Sequence, residues 1–251
     1  HSLYEKDEMR ARPLKLSGNI ELKDIKFGYS KLSDPLIDHF NLTIKPGGRI
    51  AIVGGSGCGK STMAKLITGL YAPWDGQIYF DGMHYNDIRR SMLTNSIGLV
   101  DQEIFLFKGT IRENLTMWDS TVPENVMIEA AKDACIHDDI VSRPGGYDGD
   151  VAEMGRNFSG GQRQRLEIAR VLCGRPTILV LDEATSALDP ATEMVIDGNI
   201  RRRGCTCVII AHRLSTIRDS DEIIVLDRGV ISERGTHEEL MKCNGIYAGL
   251  I

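Results

Sequence analysis

The chain has 251 residues, 42% of them hydrophobic, and its 30 Lys and Arg against 35 Asp and Glu leave a formal net charge of −5. That length and apolar content support a sizeable buried core in one large domain or two small ones, while the charge lacks the basic excess of a nucleic-acid binder. Six cysteines without a CxxC pair argue against a zinc site and fit reduced, cytosolic thiols, and no apolar run reaches the roughly 18 residues of a membrane helix.

Residues 3–15 are charged, contain Pro13 and lack periodicity, so they read as a linker. Ile20 to Phe27 alternates apolar and polar residues, the pattern of a half-exposed, antiparallel strand. Leu42 to Lys45 repeats it and ends at Pro46-Gly47-Gly48. Arg49 to Val53 reads as a buried strand that runs straight into Gly54-Gly55-Ser56-Gly57-Cys58-Gly59-Lys60-Ser61-Thr62, after which residues 61–71 form a helix. Gln77 to Phe80 is a strand before the Asp81-Gly82 turn. Between about Ile111 and Cys173 the pattern turns helical, most clearly over residues 123–136 and 162–172. Strands follow at 177–181, 205–210, 222–226 and 230–233, with a helix at 191–202. Strands alternating with helices predict a parallel α/β core, here with a helical insertion in its middle.

Gly54 to Ser61 satisfies G-x-x-x-x-G-K-[ST], and it lies between a strand and a helix, the context that confirms a P-loop. Glycines let successive backbone N–H groups curl around phosphate oxygens at a helix N-terminus, where anions are favoured. Lys60 then reaches the β- and γ-phosphates, Ser61 ligates Mg²⁺, and Thr62 lies near the α-phosphate. Cys58 sits inside the loop, where a helix N-terminus can lower a thiol pKa; a small, tolerated variable position is the alternative. Ile178 to Leu181 is an apolar run closed by Asp182-Glu183. Carboxylates at the C-terminal end of such a strand suit a Mg²⁺ ligand, Asp182, and a general base, Glu183, although acidic residues there also serve as helix caps.

With these segments in order, the chain resembles the nucleotide-binding domain of an ATP-binding cassette (ABC) transporter over nearly its whole length from Ile20. Phe158-Ser159-Gly160-Gly161-Gln162 matches the family's LSGGQ signature, with Phe158 in place of Leu. The resemblance implies a P-loop NTPase core with a RecA-like parallel sheet, an antiparallel β subdomain and a helical signature subdomain at about residues 104–173. It implies a domain spanning residues 18–251 behind a linker of residues 1–17. ATP and Mg²⁺ are the implied cofactors. Tyr29 matches the aromatic that stacks on adenine, Gln102 the glutamine that contacts Mg²⁺ or water, and His212 the histidine that senses the γ-phosphate. Read alone, Tyr29 would be an edge-strand tyrosine and His212 a satisfied structural histidine. Ser186-Ala187-Leu188-Asp189 matches the loop joining two active sites across a dimer. Asp101 and Ala152 stand where the family usually has other residues. In the family, Ser159, Gly160, Gly161 and Gln162 of one copy close on ATP held by the P-loop of a second copy, head to tail.

Phe105 to Leu115 after Gln102, Glu153 with Gly155 before the signature, and Glu233 to Leu240 resemble exporters. The implied partners are a second copy and the transmembrane domain of the same polypeptide, with no nucleic acid. The implied location is the cytoplasmic face of the cell membrane, and the opening His1-Ser2 agrees with an excised domain. Bacterial peptide or bacteriocin exporters lead, with lipid and drug exporters behind them. A soluble ABC ATPase acting on nucleic acid or the ribosome is the alternative, set back by the lack of a coiled-coil insertion or a second cassette.

Overall fold

Alternating side chains at the start of the domain make strand β1 (Ile20–Phe27), which buries Ile20, Leu22, Ile25 and Phe27. The alternation slips by one at Asp24, whose φ of +48° marks a bulge. In the computed structural model, residues 14–251 are described. The linker expected at residues 1–17 therefore lies outside the described residues as far as residue 13. Residues 14–17 are already tied to the domain: Leu16 is buried and its N–H donates to Ser96 Oγ at 2.8 Å. The N–H and hydroxyl of Ser17 both donate to Asp81, each at 2.6 Å.

After β1 come β2 (Ile37–Ile44), β3 (Arg49–Val53) and helix α1 (Lys60–Ile67). Strands β4 (Asp75–Phe80) and β5 (Met83–His84), helix α2 (Arg90–Ser96) and strand β6 (Ile97–Val100) follow. The helical insertion holds β7 (Gly109–Thr110), α3 (Ile111–Thr116), α4 (Glu124–Asp133), α5 (His137–Val141) and β8 (Asp150–Val151), and ends in α6 (Gly160–Cys173). The chain then runs through β9 (Ile178–Asp182), α7 (Pro190–Arg203), β10 (Thr206–Ile210) and α8 (Leu214–Ile217). It closes with β11 (Glu222–Asp227), β12 (Val230–Gly235), α9 (His237–Cys243) and α10 (Ile246–Leu250).

Of three sheets among the described residues, one has the order β2-β1-β4-β5 and is antiparallel, a larger one has the order β12-β11-β3-β10-β9-β6, and β7 pairs antiparallel with β8. From β11 to β6 every pairing of the larger sheet is parallel, and β12 closes its edge antiparallel. Strands β3, β9 and β10 are buried at every residue, as strands covered on both faces must be. Their alternate side chains feed two cores. Ala51, Val53, Leu179, Leu181 and Ile209 face the helical insertion and α7. Ile50, Ile52, Val180, Val208 and Ile210 face α1 and the antiparallel sheet. At about 1.5–3 kcal/mol for each fully buried aliphatic side chain, these two cores fix the C-terminal ends of β3, β9 and β10 beside one another.

The predicted strands and helices are all present, with shifted ends. The strand expected at residues 42–45 begins at Ile37, because Phe40 and Ile37 continue its buried face. Helix α2, strand β6 and the short helices α8, α9 and α10 were not anticipated. Gly98 hides β6 from a hydrophobicity pattern, and a Cβ there would meet Val171 Cγ1 of α6 at 2.5 Å, so its absence lets helix and strand approach. Among the described residues no helix is long and apolar enough to cross a membrane.

Candidate active site

The glycine-rich loop leaves β3 and enters α1 as the sequence predicts. Gly59 occupies the N-cap at φ +108°, and a Cβ there would stand 2.6 Å from Ile37 Cδ1, so glycine is required twice over. Loop and helix start line a cleft of about 290 Å³ together with Gln102, Glu183 and His212. Lys60 is buried, and its ammonium donates to the carbonyls of Gly54 at 2.9 Å and Gly55 at 2.8 Å. Ser56, Gly57, Ser61 and Thr62 also face the cleft. Cys58 turns inward and is buried, 3.7 Å from Lys60 Nζ. Tyr29 is two-thirds exposed; its hydroxyl lies 2.9 Å from Thr62 Oγ1 and its ring meets Phe27 and Tyr71 edge-on. An exposed aromatic ring beside the glycine-rich loop can accept a flat ring stacked on it.

The two carboxylates at the end of β9 sit in opposite environments. Asp182 is 2% exposed, and its Oδ1 is buried without a hydrogen-bond partner. Burial pushes this carboxyl above the usual aspartate range; the carboxylates of Asp101 and Glu183 push the same way, and Ser61 and Lys60 oppose them. Glu183 stands in a left-handed conformation, φ +49°, anchored by its N–H to the Ile210 carbonyl at 2.9 Å. That turn aims its side chain into the cleft. There His212 Nε2–H donates to Oε1 at 2.9 Å and Gln102 Nε2 donates to Oε2 at 3.2 Å. An ionised carboxylate has about four lone-pair sites, so two remain for a water.

A divalent cation fits this corner. Asp182 offers a buried oxygen with no partner beside the Ser61 hydroxyl, and Ser61 lines the cleft together with Gln102, whose amide oxygen is a further donor. All are hard oxygen donors of the kind Mg²⁺ selects, and few protein ligands are expected where phosphate oxygens and water complete the shell. No cluster of three His, Cys, Asp or Glu among the described residues offers a rival site.

The signature segment is well formed but does not line the cleft. Ser159 caps α6: its hydroxyl accepts from the Gln162 N–H at 3.2 Å, and Gln162 Oε1 accepts from the Ser159 N–H at 2.9 Å. Phe158 is buried, and the Arg143 guanidinium stacks on its ring at 3.9 Å while donating to the Asn157 carbonyl at 2.9 Å. The larger ring thus gains a partner that a leucine could not have. Gly161 packs on the following loop, where a Cβ would stand 3.3 Å from the Ala187 carbonyl. Asp189 caps α7, accepting from the N–H of Thr192 at 2.9 Å and from its hydroxyl at 2.7 Å. These bonds hold its carboxyl below the usual range. Glu153 is exposed in a turn over residues 153–155, 3.9 Å from Arg156. The structure therefore brings together Lys60, Ser61, Thr62, Gln102, Glu183 and His212, and sets Ser159–Gln162 and Asp189 apart from them.

Two residues were missed. Gln164 is buried in α6 and bonds the loop after Glu183 through both ends of its amide. Its signal was a polar residue on the apolar stripe with Ile168 and Leu172. Arg213 donates to the carbonyls of Ser186 and Leu188 and to Glu193; no local pattern in the sequence marks it.

A family model described as ABC transporter matches residues 37–186. "Multidrug resistance protein 1" of Entamoeba histolytica is 45% identical over 95% of this chain and 19% of its own length. "Iron-sulfur clusters transporter atm1, mitochondrial" of Neurospora crassa is 45% identical over 98% of this chain and 36% of its own. A multidrug export ATP-binding/permease protein of Staphylococcus aureus is 42% identical over 98% of this chain and 43% of its own. The solved structure of a bacterial Atm1-family ABC exporter with ATP bound superposes with a TM-score of 0.89 at 39% identity, covering 94% of this chain and 42% of that one. The chain therefore spans less than half the length of each of these relatives.

Proposed function

This chain belongs to the ABC transporter family and is an ATPase domain of it, and we propose that it is the motor of an exporter that works as a head-to-tail pair around two ATP. The observation that carries the reading is Glu183, held at the cleft mouth by His212 and Gln102 with two lone-pair sites free, beside the buried Lys60.

ATP stacks its adenine on Tyr29 and lays its phosphates along the N–H groups of residues 55–62. Lys60 exchanges its two backbone carbonyls for phosphate oxygens. Ser61, Gln102 and Asp182 would hold Mg²⁺, which when bound would supply positive charge against the phosphates. Glu183 accepts a proton from the attacking water as the water's oxygen bonds phosphorus and the bond to ADP breaks. His212 keeps the Glu183 carboxylate turned toward that water. Ser159, Gly160, Gly161 and Gln162 form a second anion cradle at the start of α6. That the cradle stands apart from the cleft supports its serving the partner's ATP, with Asp189 reporting occupancy between the two sites.

The relatives' names support an exporter with a fused membrane part, and hence a motor at the cytoplasmic face of a membrane, preceded by residues 1–17 as linker and carrying the helical signature subdomain at about 104–173. Those names span drugs and iron–sulfur clusters. No residue of this site favours a peptide or bacteriocin over them, because an ATP site does not read cargo. The alternative of a soluble ATPase on nucleic acid or the ribosome draws no support from these relatives. Glu183→Gln tests the reading: it should bind ATP, stop turnover and accumulate as a dimer by size-exclusion with light scattering. A variant that stays monomeric at saturating ATP, or hydrolyses at the wild-type rate, refutes it.

A further inference from the structure

The loop from Glu183 to Asp189 is gripped from two sides. On one side stands Gln164, one turn into the helix whose first residues form the signature. Its Nε2 donates to Ser186 Oγ at 2.9 Å and lies 3.4 Å from the Glu183 carbonyl, and its Oε1 accepts from the Ala187 N–H at 2.9 Å. On the other side stands Arg213, next to His212. It donates to the Leu188 carbonyl at 2.8 Å, the Ser186 carbonyl at 3.0 Å and the buried Glu193 at 2.5 Å. The loop leaves Glu183 in a left-handed conformation, so a small rotation of its backbone re-aims the carboxylate.

The geometry points to Gln164 as a positioning residue that couples the two composite ATP sites, by making the setting of Glu183 in one site depend on the position of the signature helix that closes on the other. The inference rests on the head-to-tail reading above. A shared loop is the physical link: α6 shifts when its N-terminus takes up the partner's phosphate, and the amide of Gln164 carries that shift to the backbone of residues 183, 186 and 187. Gln164 does not line the cleft, and a buried amide with both ends satisfied by one loop is a tie that an apolar residue cannot replace. Arg213 keeps the far end of the loop fixed, so the motion falls on Glu183 and not on Asp189.

The test compares wild type, Gln164→Met, Ser186→Ala and the double variant by steady-state ATP hydrolysis, with fluorescent-nucleotide binding to the monomer as the measure of a folded P-loop. Gln164→Met keeps the volume and removes the tie. Turnover at saturation should fall about tenfold, the loss expected from one well-made buried hydrogen bond, while the ATP concentration at half-saturation stays within about twofold of wild type. The Hill coefficient should drop toward about 1 as the sites uncouple. The double variant should lose no more than Gln164→Met alone. On the Glu183→Gln background, Gln164→Met should still dimerise with ATP, since Ser159 is untouched. Wild-type turnover and cooperativity in Gln164→Met, with dimerisation intact, overturn this inference alone. A Glu183→Gln chain that never dimerises overturns the head-to-tail reading and this inference with it. Loss of monomer binding in Gln164→Met would assign the residue to stability and also overturn the proposal.

Discussion

Replacing Asp182 by asparagine should stabilise the chain without nucleotide while abolishing its Mg²⁺-dependent function. Asp182 is 2% exposed, and its Oδ1 has no partner, so the folded chain carries a buried charge that water would otherwise solvate. An unsatisfied buried acceptor of this kind costs about 1–3 kcal/mol. Asparagine leaves a neutral acceptor there, so what is recovered is the extra cost of burying the charge, and a gain of about 1–2 kcal/mol is expected. At about 2–4 °C per kcal/mol for a chain of this size, Tm should rise by about 2–8 °C. Burial raises the carboxyl pKa in the folded chain, so the folded state keeps its proton where the unfolded chain has already lost it. Stability from this group therefore falls as pH climbs from the ordinary aspartate value, about 4, through the raised one. The difference between variant and wild type should be full at neutral pH and close as pH falls toward the ordinary value. Saturating Mg²⁺ and ATP should reverse the order. Ligand at a hundred times its Kd adds about 2.7 kcal/mol to wild type, and the variant forfeits the part that passes through Asp182. Differential scanning calorimetry with and without Mg²⁺ and ATP, at several pH values, reads both signs. A variant that melts below wild type without nucleotide would refute the orphaned-charge argument.

Three further outcomes follow from the site. Lys60→Ala should weaken ATP binding by about tenfold to a hundredfold, since a hydrogen bond to a charged group is worth about 1.5–3 kcal/mol; equilibrium titration of the monomer measures it. Ser159→Arg should leave that monomer affinity unchanged and abolish ATP-dependent dimers, because the cradle stands apart from the cleft; loss of monomer binding would contradict the assignment in trans. Phe158→Leu should lower Tm by about 2–4 °C through loss of the Arg143 stack, worth about 1 kcal/mol at a partly buried position, with ATP affinity unaltered.

The parts of the site proposed to bind phosphate were legible because such chemistry requires particular residues at particular spacing. Gly59 must be glycine for φ and for Ile37, and Lys60 and Ser61 must follow it. The buried strands were legible from apolar runs ended by turns. What escaped was set by partners distant in sequence. Strand β6 is four residues interrupted by Gly98, and only its place beside β9 makes it a strand. The orphaned oxygen of Asp182 is a property of everything packed around it. Gln164 and Arg213 acquire their roles only when β9, α6 and the segment after β10 are brought together, and no local pattern marks an arginine that grips two carbonyls across 25 and 27 residues.

Nearly every functional side chain of the cleft already has an interim partner. Lys60 holds two backbone carbonyls, Tyr29 pairs with Thr62, and Glu183 accepts from His212 and Gln102. ATP therefore does not fall into a set of unsatisfied groups; it exchanges with bonds already made, and each exchange yields only the difference between two hydrogen bonds. Such a site holds its shape without nucleotide and loses little by waiting. The exception is Asp182 Oδ1. An oxygen kept without a partner gains the most when a cation arrives, so on the proposed reading the largest single increment of binding energy would come from Mg²⁺, and nucleotide without the metal should be held by the exchangeable contacts alone. ATP affinity measured in chelator should accordingly differ little between wild type and Asp182→Asn, and the two should separate only when Mg²⁺ is added. Equal separation in both conditions would show that Asp182 acts through the loop and not through the metal.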